Sequence, residues 1–177
     1  MNTTPTQTIR SLSALNAMPR QEFTHSIGTV FEHSPWIADS AWSKRPFANL
    51  EELHRALCHT VNTASHEQQL ALLRAHPDLV GKLAQAGQLT HESTTEQASA
   101  GLTTLTPHEI AAFHTNNAAY KDKFGFPFII CARLNKKTAI LKGFQVRLQN
   151  SREHELKTAL EEIFKIAELR LRDLITP

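Results

Sequence analysis

The sequence predicts an all-α fold, a compact single-domain helical bundle, on three observations. Apolar residues recur at helical spacing through most of the chain, and capping residues mark where helices begin. Only Phe128-Ile129-Ile130-Cys131 looks strand-like, and it is too short and isolated to found a sheet. A length of 177 residues suits one domain, so residues 1–177 are read as one unit, with the polar, Thr-rich residues 1–10 as a flexible lead.

In chain order, Phe23, Ile27, Val30 and Phe31 behind Pro19 predict a helix over 19–31. Ser34 to Trp42 is a short aromatic segment ending near Pro46. Leu50, Leu53, Leu57 and Val61 line one face of a long helix, and Leu70, Leu72 and Leu73 mark another over 66–75. That helix closes at His76-Pro77, because a proline disfavours the α conformation in the residue before it. Thr106-Pro107-His108-Glu109 supplies a hydroxyl N-cap, a proline at the first position and a glutamate at the third. The helix it opens should run to about Lys123 and stop before Gly125-Phe126-Pro127. Ile140, Phe144 and Leu148 fill a helix over 137–149. Ser151 caps a last one over 152–174 through Leu156, Leu160, Ile163, Phe164, Ala167 and Leu171. Residues 124–132 form a short irregular apolar segment between these helices.

Composition removes several function classes. The net charge is +2 and the basic residues are scattered, so nothing directs the chain to nucleic acid or to a membrane surface. Two cysteines without C-x-x-C spacing point to a reducing compartment. There is no apolar leader, no run near the ~20 residues that span a bilayer, and no S-K-L-type address in Ile175-Thr176-Pro177. A cytoplasmic protein of bacterial type is expected.

Three polar or irregular clusters carry the chemistry. His76-Pro77-Asp78 places an imidazole at a helix end, where it caps its own helix carbonyls or exchanges protons with a ligand. Asp78 finds an i+4 partner in Lys82. Ser93-Thr94-Thr95-Glu96 reads as a capping box, and a helix start there also suits an anionic or carbonyl-bearing ligand, with Gln97 adding an amide. Phe124 to Ile130 is a buried connector or a pocket wall whose backbone groups read a polar heterocycle. Ten histidines invite a metal, but His66-Glu67-Gln68-Gln69-Leu70 lacks the second ligand of H-E-x-x-H, and His54 and His59 do not share a helix face. A metal-dependent hydrolase of a related ureide is therefore the alternative reading, and a non-catalytic helical interaction module is a third.

Taken together, these pieces resemble one family. His76-Pro77-Asp78-Leu79-x-Gly81-Lys82, Ser93-x-x-Glu96-Gln97-x-Ser99-Ala100-Gly101-Leu102 and Asn116/Asn117-x-x-Tyr120-x-x-Lys123-Phe124-Gly125-Phe126-Pro127-Phe128 are similar to the signature of 2-oxo-4-hydroxy-4-carboxy-5-ureidoimidazoline (OHCU) decarboxylases. Phe31-Glu32-His33-Ser34-Pro35-Trp36, Arg45-Pro46-Phe47 and the tail Ile166 to Leu171 fit as well. The resemblance implies an all-helical homodimer with neither metal nor organic cofactor, acting on a small ureidoimidazoline and yielding (S)-allantoin. It implies His76 as the catalytic histidine and Glu96 as its acidic partner. It also implies a substrate lining of Pro77, Ser93, Thr94, Thr95, Gln97, Phe128, Ile129, Ile130, Cys131 and Ala132. Arg170 falls where the family places an arginine near the substrate, with Arg133, Arg147 and Arg172 as its competitors.

Overall fold

The computed structural model describes residues 10–176; the flexible lead expected over 1–10 lies, but for Arg10, outside the described residues. The fold is all-α, with ten α-helices and one two-residue strand pair among those residues. The chain forms two compact units, Met1–Gln69 with Ala167–Pro177, and Leu70–Ile166.

In the first unit, β1 (Arg10–Ser11) pairs in parallel with β2 (Ile175–Thr176), Arg10 opposite Ile175. Nothing in the local pattern announces so short a pair. Helix α1 (Leu12–Ala17) starts at Ser11, whose hydroxyl accepts from the Ala14 N–H at 3.1 Å. Helix α2 (Arg20–Ile27) ends earlier than its apolar spacing suggests and tightens into a 3-10 turn over Gly28–Val30. Pro35 packs against that turn so closely that a Cβ on Gly28 would stand 3.2 Å from the Pro35 Cβ. The aromatic segment forms α3 (Trp36–Ala41), and α4 (Leu50–Asn62) follows, capped by Asn49. Phe23, Ile37, Leu53, Leu57 and Val61 are fully or almost fully buried in this unit, each contributing about 1.5–3 kcal/mol by leaving water.

The second unit carries the rest. Helix α5 (His66–Ala75), entered from the first unit, stops one residue before His76, as the following proline requires. Then come α6 (Lys82–Gln85), α7 (His91–Ser99), α8 (Pro107–Phe124), α9 (Lys137–Arg147) and α10 (Arg152–Leu174), the last ending in the first unit. Helix α8 opens on the expected capping box of Thr106 and Glu109, and closes on Gly125 in the left-handed region at φ +80°, its N–H returned to Lys121 O. Tyr120, on α8, sits edge-on to Phe128 with centroids 5.2 Å apart, and Phe128 stacks on Phe144 at 3.9 Å. These rings fill the core around the irregular segment.

Two local expectations are corrected here. Ser93 does not cap a helix; Thr90 does, its hydroxyl accepting from the Ser93 N–H at 3.2 Å. Beginning α7 three residues earlier turns Ser93, Gln97 and Ala100 into the unit, where all three are buried. Thr90→Ala should therefore lower stability by about 1 kcal/mol, read as a shift in the urea midpoint. Asp78 likewise does not pair with Lys82: its carboxylate meets Lys121 of α8 at 2.6 Å. The backbone between Asp78 and Lys82 is not helical, so an i+4 relation does not hold there.

Candidate active site

His76 is held at the end of α5 by two bonds to its own helix. Its N–H donates to Leu73 O at 3.2 Å, and its Nδ1 lies 2.9 Å from Leu72 O. A carbonyl oxygen only accepts, so Nδ1 carries hydrogen, and in the neutral ring Nε2 is the nitrogen with a lone pair able to accept a proton. Nδ1 thus takes the capping role suggested by the sequence, and a proton-exchanging role would fall to the opposite nitrogen of the ring.

The loop after Pro77 is tightly clamped. Val80 adopts φ +55°, the left-handed region, which costs a β-branched residue roughly 1–3 kcal/mol. A Cβ on Gly81 would come within 2.7 Å of the Asp78 Cβ, so the position has no room for a larger residue. Gln97 of α7 accepts the Val80 N–H through Oε1 at 3.0 Å, and its Nε2 faces Asp78 O at 3.5 Å. Asn117 of α8 donates to Leu79 O at 2.8 Å, and His114 donates through Nε2 to Val80 O at 3.1 Å. Of the two adjacent asparagines, Asn117 is thus the one turned inward; Asn116 bonds to Ala112 O of its own helix.

Helix α7 joins this loop to the irregular segment. Through Gln97 it holds the loop; at its far end it packs against the 3-10 turn Ala132–Leu134, and Ala100 O accepts from the Lys137 N–H at 3.2 Å. Ser93 and Gln97 are buried and Glu96 is half-buried, whereas Thr94 and Thr95 are exposed, with hydroxyls donated to Thr90 O and His91 O. The segments holding His76-Pro77, Ser93–Gln97 and the end of 128–132 are therefore brought together.

Phe128, Ile129, Cys131 and Ala132 are buried and Ile130 half-buried. The segment is not a strand; its backbone groups are taken by side chains of which sequence reasoning named only Arg147, as a competitor of Arg170, and neither Glu162 nor Asn135. Arg147 donates to Ile129 O at 2.6 Å, and Glu162 accepts the Cys131 N–H at 2.8 Å. Cys131 O accepts from Asn135 Nδ2 at 3.0 Å. Arg147 also donates through Nε to Glu155 Oε1 at 2.6 Å, lies 4.3 Å above the Phe128 ring, and Tyr120 donates its hydroxyl to the same Glu155 oxygen. Glu155 is completely buried. No local pattern joins Arg147, Glu155 and Glu162; a glutamate at a buried-face position of α10 was the one available signal.

Neither cysteine is set up as a nucleophile. Burial, and then the Glu168 carboxylate, push the Cys58 thiol up to about 12. Burial raises the Cys131 thiol too, with the Glu162 and Glu96 carboxylates adding to it. Among the described residues, no three His, Cys, Asp or Glu side chains converge as a metal ion would require. No helix among them is long and apolar enough to cross a membrane.

Arg170 belongs to the first unit. It is buried and ion-paired with buried Glu32 at 3.0 Å, with Val30 O at 3.4 Å. Its competitors are engaged differently: Arg147 in the Glu155 pair, and exposed Arg172 with Glu168 at 2.7 Å. Arg133 is exposed.

Comparison with known proteins finds relatives over most of the chain. The family model described as OHCU decarboxylase matches residues 16–172. A 2-oxo-4-hydroxy-4-carboxy-5-ureidoimidazoline decarboxylase of Halalkalicoccus jeotgali is 43% identical over 163 residues, covering 92% of this chain and 90% of its own. One of Mus musculus is 41% identical, covering 91% and 90%. A crystal structure of an (S)-allantoin synthase superposes with a TM-score of 0.77 at 30% identity, over 94% of this chain and 54% of its own length. A crystal structure of an OHCU decarboxylase in the presence of (S)-allantoin gives 0.64 at 26%, over 78% and 89%.

Proposed function

The chain belongs to the OHCU decarboxylase family, and we propose that it releases CO2 from 2-oxo-4-hydroxy-4-carboxy-5-ureidoimidazoline, leaving (S)-allantoin as the last step of urate oxidation. The observation that carries the reading is the locked imidazole. His76 commits Nδ1 to Leu72 O and so presents Nε2 for proton exchange, at the head of a loop bound to the helix that carries Glu96. The chain is read as one decarboxylase domain, since the family model spans residues 16–172.

The substrate bears a carboxylate and a hydroxyl on one ring carbon, beside an imine carbon. The bond to the carboxylate breaks, its electron pair forms a carbon–carbon double bond with the imine carbon, and the imine nitrogen takes a proton. The resulting enol loses its hydroxyl proton to become a carbonyl, and the neighbouring carbon takes a proton from one face. The imine is the electron sink, so the substrate supplies what an organic cofactor would otherwise supply. His76 Nε2 takes the hydroxyl proton; Glu96 orients the imidazole or accepts from the ureido N–H groups. Pro77, Ser93, Thr94, Thr95 and Gln97, with the segment Phe128 to Ala132, line the substrate. Because Ile129 O, Cys131 N and Cys131 O already have side-chain partners, the rest of that segment's backbone would read the heterocycle. In this reading the protein is cytoplasmic and works as a homodimer; light scattering would check the oligomeric state.

The test is circular dichroism at an allantoin band while urate is oxidised and hydrolysed upstream in the same cuvette. Ellipticity should grow faster with the protein than without it; an unchanged, achiral time course overturns the reading.

A further inference from the structure

Asn117 is buried at 4% exposure in the middle of α8, and its side chain is divided. Nδ2 donates to Leu79 O at 2.8 Å, whereas Oδ1 is buried with no hydrogen-bond partner among the described residues. An acceptor left unpaired inside a protein is a cost, and one that an apolar residue of the same size would avoid. Val80, next to the carbonyl that Asn117 holds, carries a second cost in its left-handed backbone. Both bear on the five residues that follow His76: Val80 is one of them, and Asn117 bonds to Leu79 O beside it. Holding Leu79 O fixes the Leu79–Val80 peptide plane, and that plane decides where the Val80 N–H points: at Gln97 Oε1, 3.0 Å away on α7. His114, one turn before Asn117, holds the next carbonyl, Val80 O, from the exposed side.

We propose that Asn117 is a positioning residue for the decarboxylation: through Leu79 O it shapes the Asp78–Gly81 loop, and so sets His76 and Pro77 against the helix that carries Glu96. The inference rests on the decarboxylase reading. It differs from a packing role in one consequence. An apolar side chain of equal size fills the same space, removes the unpaired oxygen and leaves the fold stable, yet releases the loop.

The decisive variant is Asn117→Leu, with Asn117→Ala as a second should leucine not be accommodated. Melting temperature, amide hydrogen exchange, steady-state kinetics and the enantiomeric purity of the allantoin are measured on each. The expected result is a melting temperature at or near the parent value and faster exchange at the Val80 and Gly81 amides. Turnover should fall by about 10²-fold from a misplaced group, with KM changed less than about three-fold. The allantoin should lose enantiomeric purity as slower protonation competes with the reaction in solution. Unchanged exchange at Val80 and Gly81 overturns the proposal, and so does a loosened loop with parental turnover. A parent protein that generates no chirality removes the decarboxylase reading itself, and the exchange data then still say whether Asn117 governs the loop.

Discussion

Replacing His76 with asparagine should lower kcat/KM by about 10²–10⁴-fold while leaving the fold intact. The substitution suits the geometry better than alanine does. An asparagine N–H can still reach Leu72 O and preserve the helix-end bond that Nδ1 makes, but the side chain has no nitrogen that exchanges protons near neutral pH. Loss of turnover with an unchanged far-ultraviolet spectrum and melting temperature assigns the effect to chemistry. Near-parental turnover would remove His76 from the mechanism. A variant that unfolds is answered by His76→Gln, whose longer amide tests the same separation of roles.

The second large effect is on stability. Arg147→Met leaves Glu155, fully buried, without its cation and takes the donor from Ile129 O. Breaking a buried pair on one side costs about 3–5 kcal/mol, which at this size is a fall in melting temperature of roughly 10 °C. The double variant Arg147→Met with Glu155→Leu should recover much of that loss, since no buried charge then stands alone. If the proposed lining holds, it should not recover substrate affinity, because Ile129 O would still lack the donor that fixes the segment. A single-variant loss below about 1 kcal/mol, measured by denaturant titration, would show the pair to be solvated rather than structural.

These residues also show what the sequence makes legible. Thr106-Pro107-His108-Glu109 was readable because every partner in a capping box lies within one turn of the next. His76-Pro77 was readable because the proline acts on its immediate neighbour. Ser93 misleads for a related reason: Ser93-x-x-Glu96 fits a capping box locally, yet the cap is Thr90, three residues earlier. The choice between them is made by the burial of Ser93 and Gln97, which is tertiary. Asp78 took Lys121 over Lys82 because the left-handed Val80 breaks the helical register that the i+4 rule presumes. Asn116 and Asn117 were indistinguishable because neighbours on a helix point in different directions, and only packing chooses which is inside. Glu155 and Glu162 were invisible as binding partners, since the groups they hold lie on other elements with no periodic relation to them.

Tyr120 offers a last consequence. It is the chain's single tyrosine, it is buried against Phe128, and its hydroxyl is given to Glu155. Burial first, and then that hydrogen bond, raise its phenol above the usual value of about 10. The folded chain therefore holds the phenolic proton more tightly than the unfolded chain does. That contribution is complete below pH ~10 and drains away as alkali is added above it. Tyrosinate absorbs in its own ultraviolet band, so a rapid alkaline jump in a stopped-flow cell reports the opening of this core without any label. The wall of the candidate pocket contains its own optical clock.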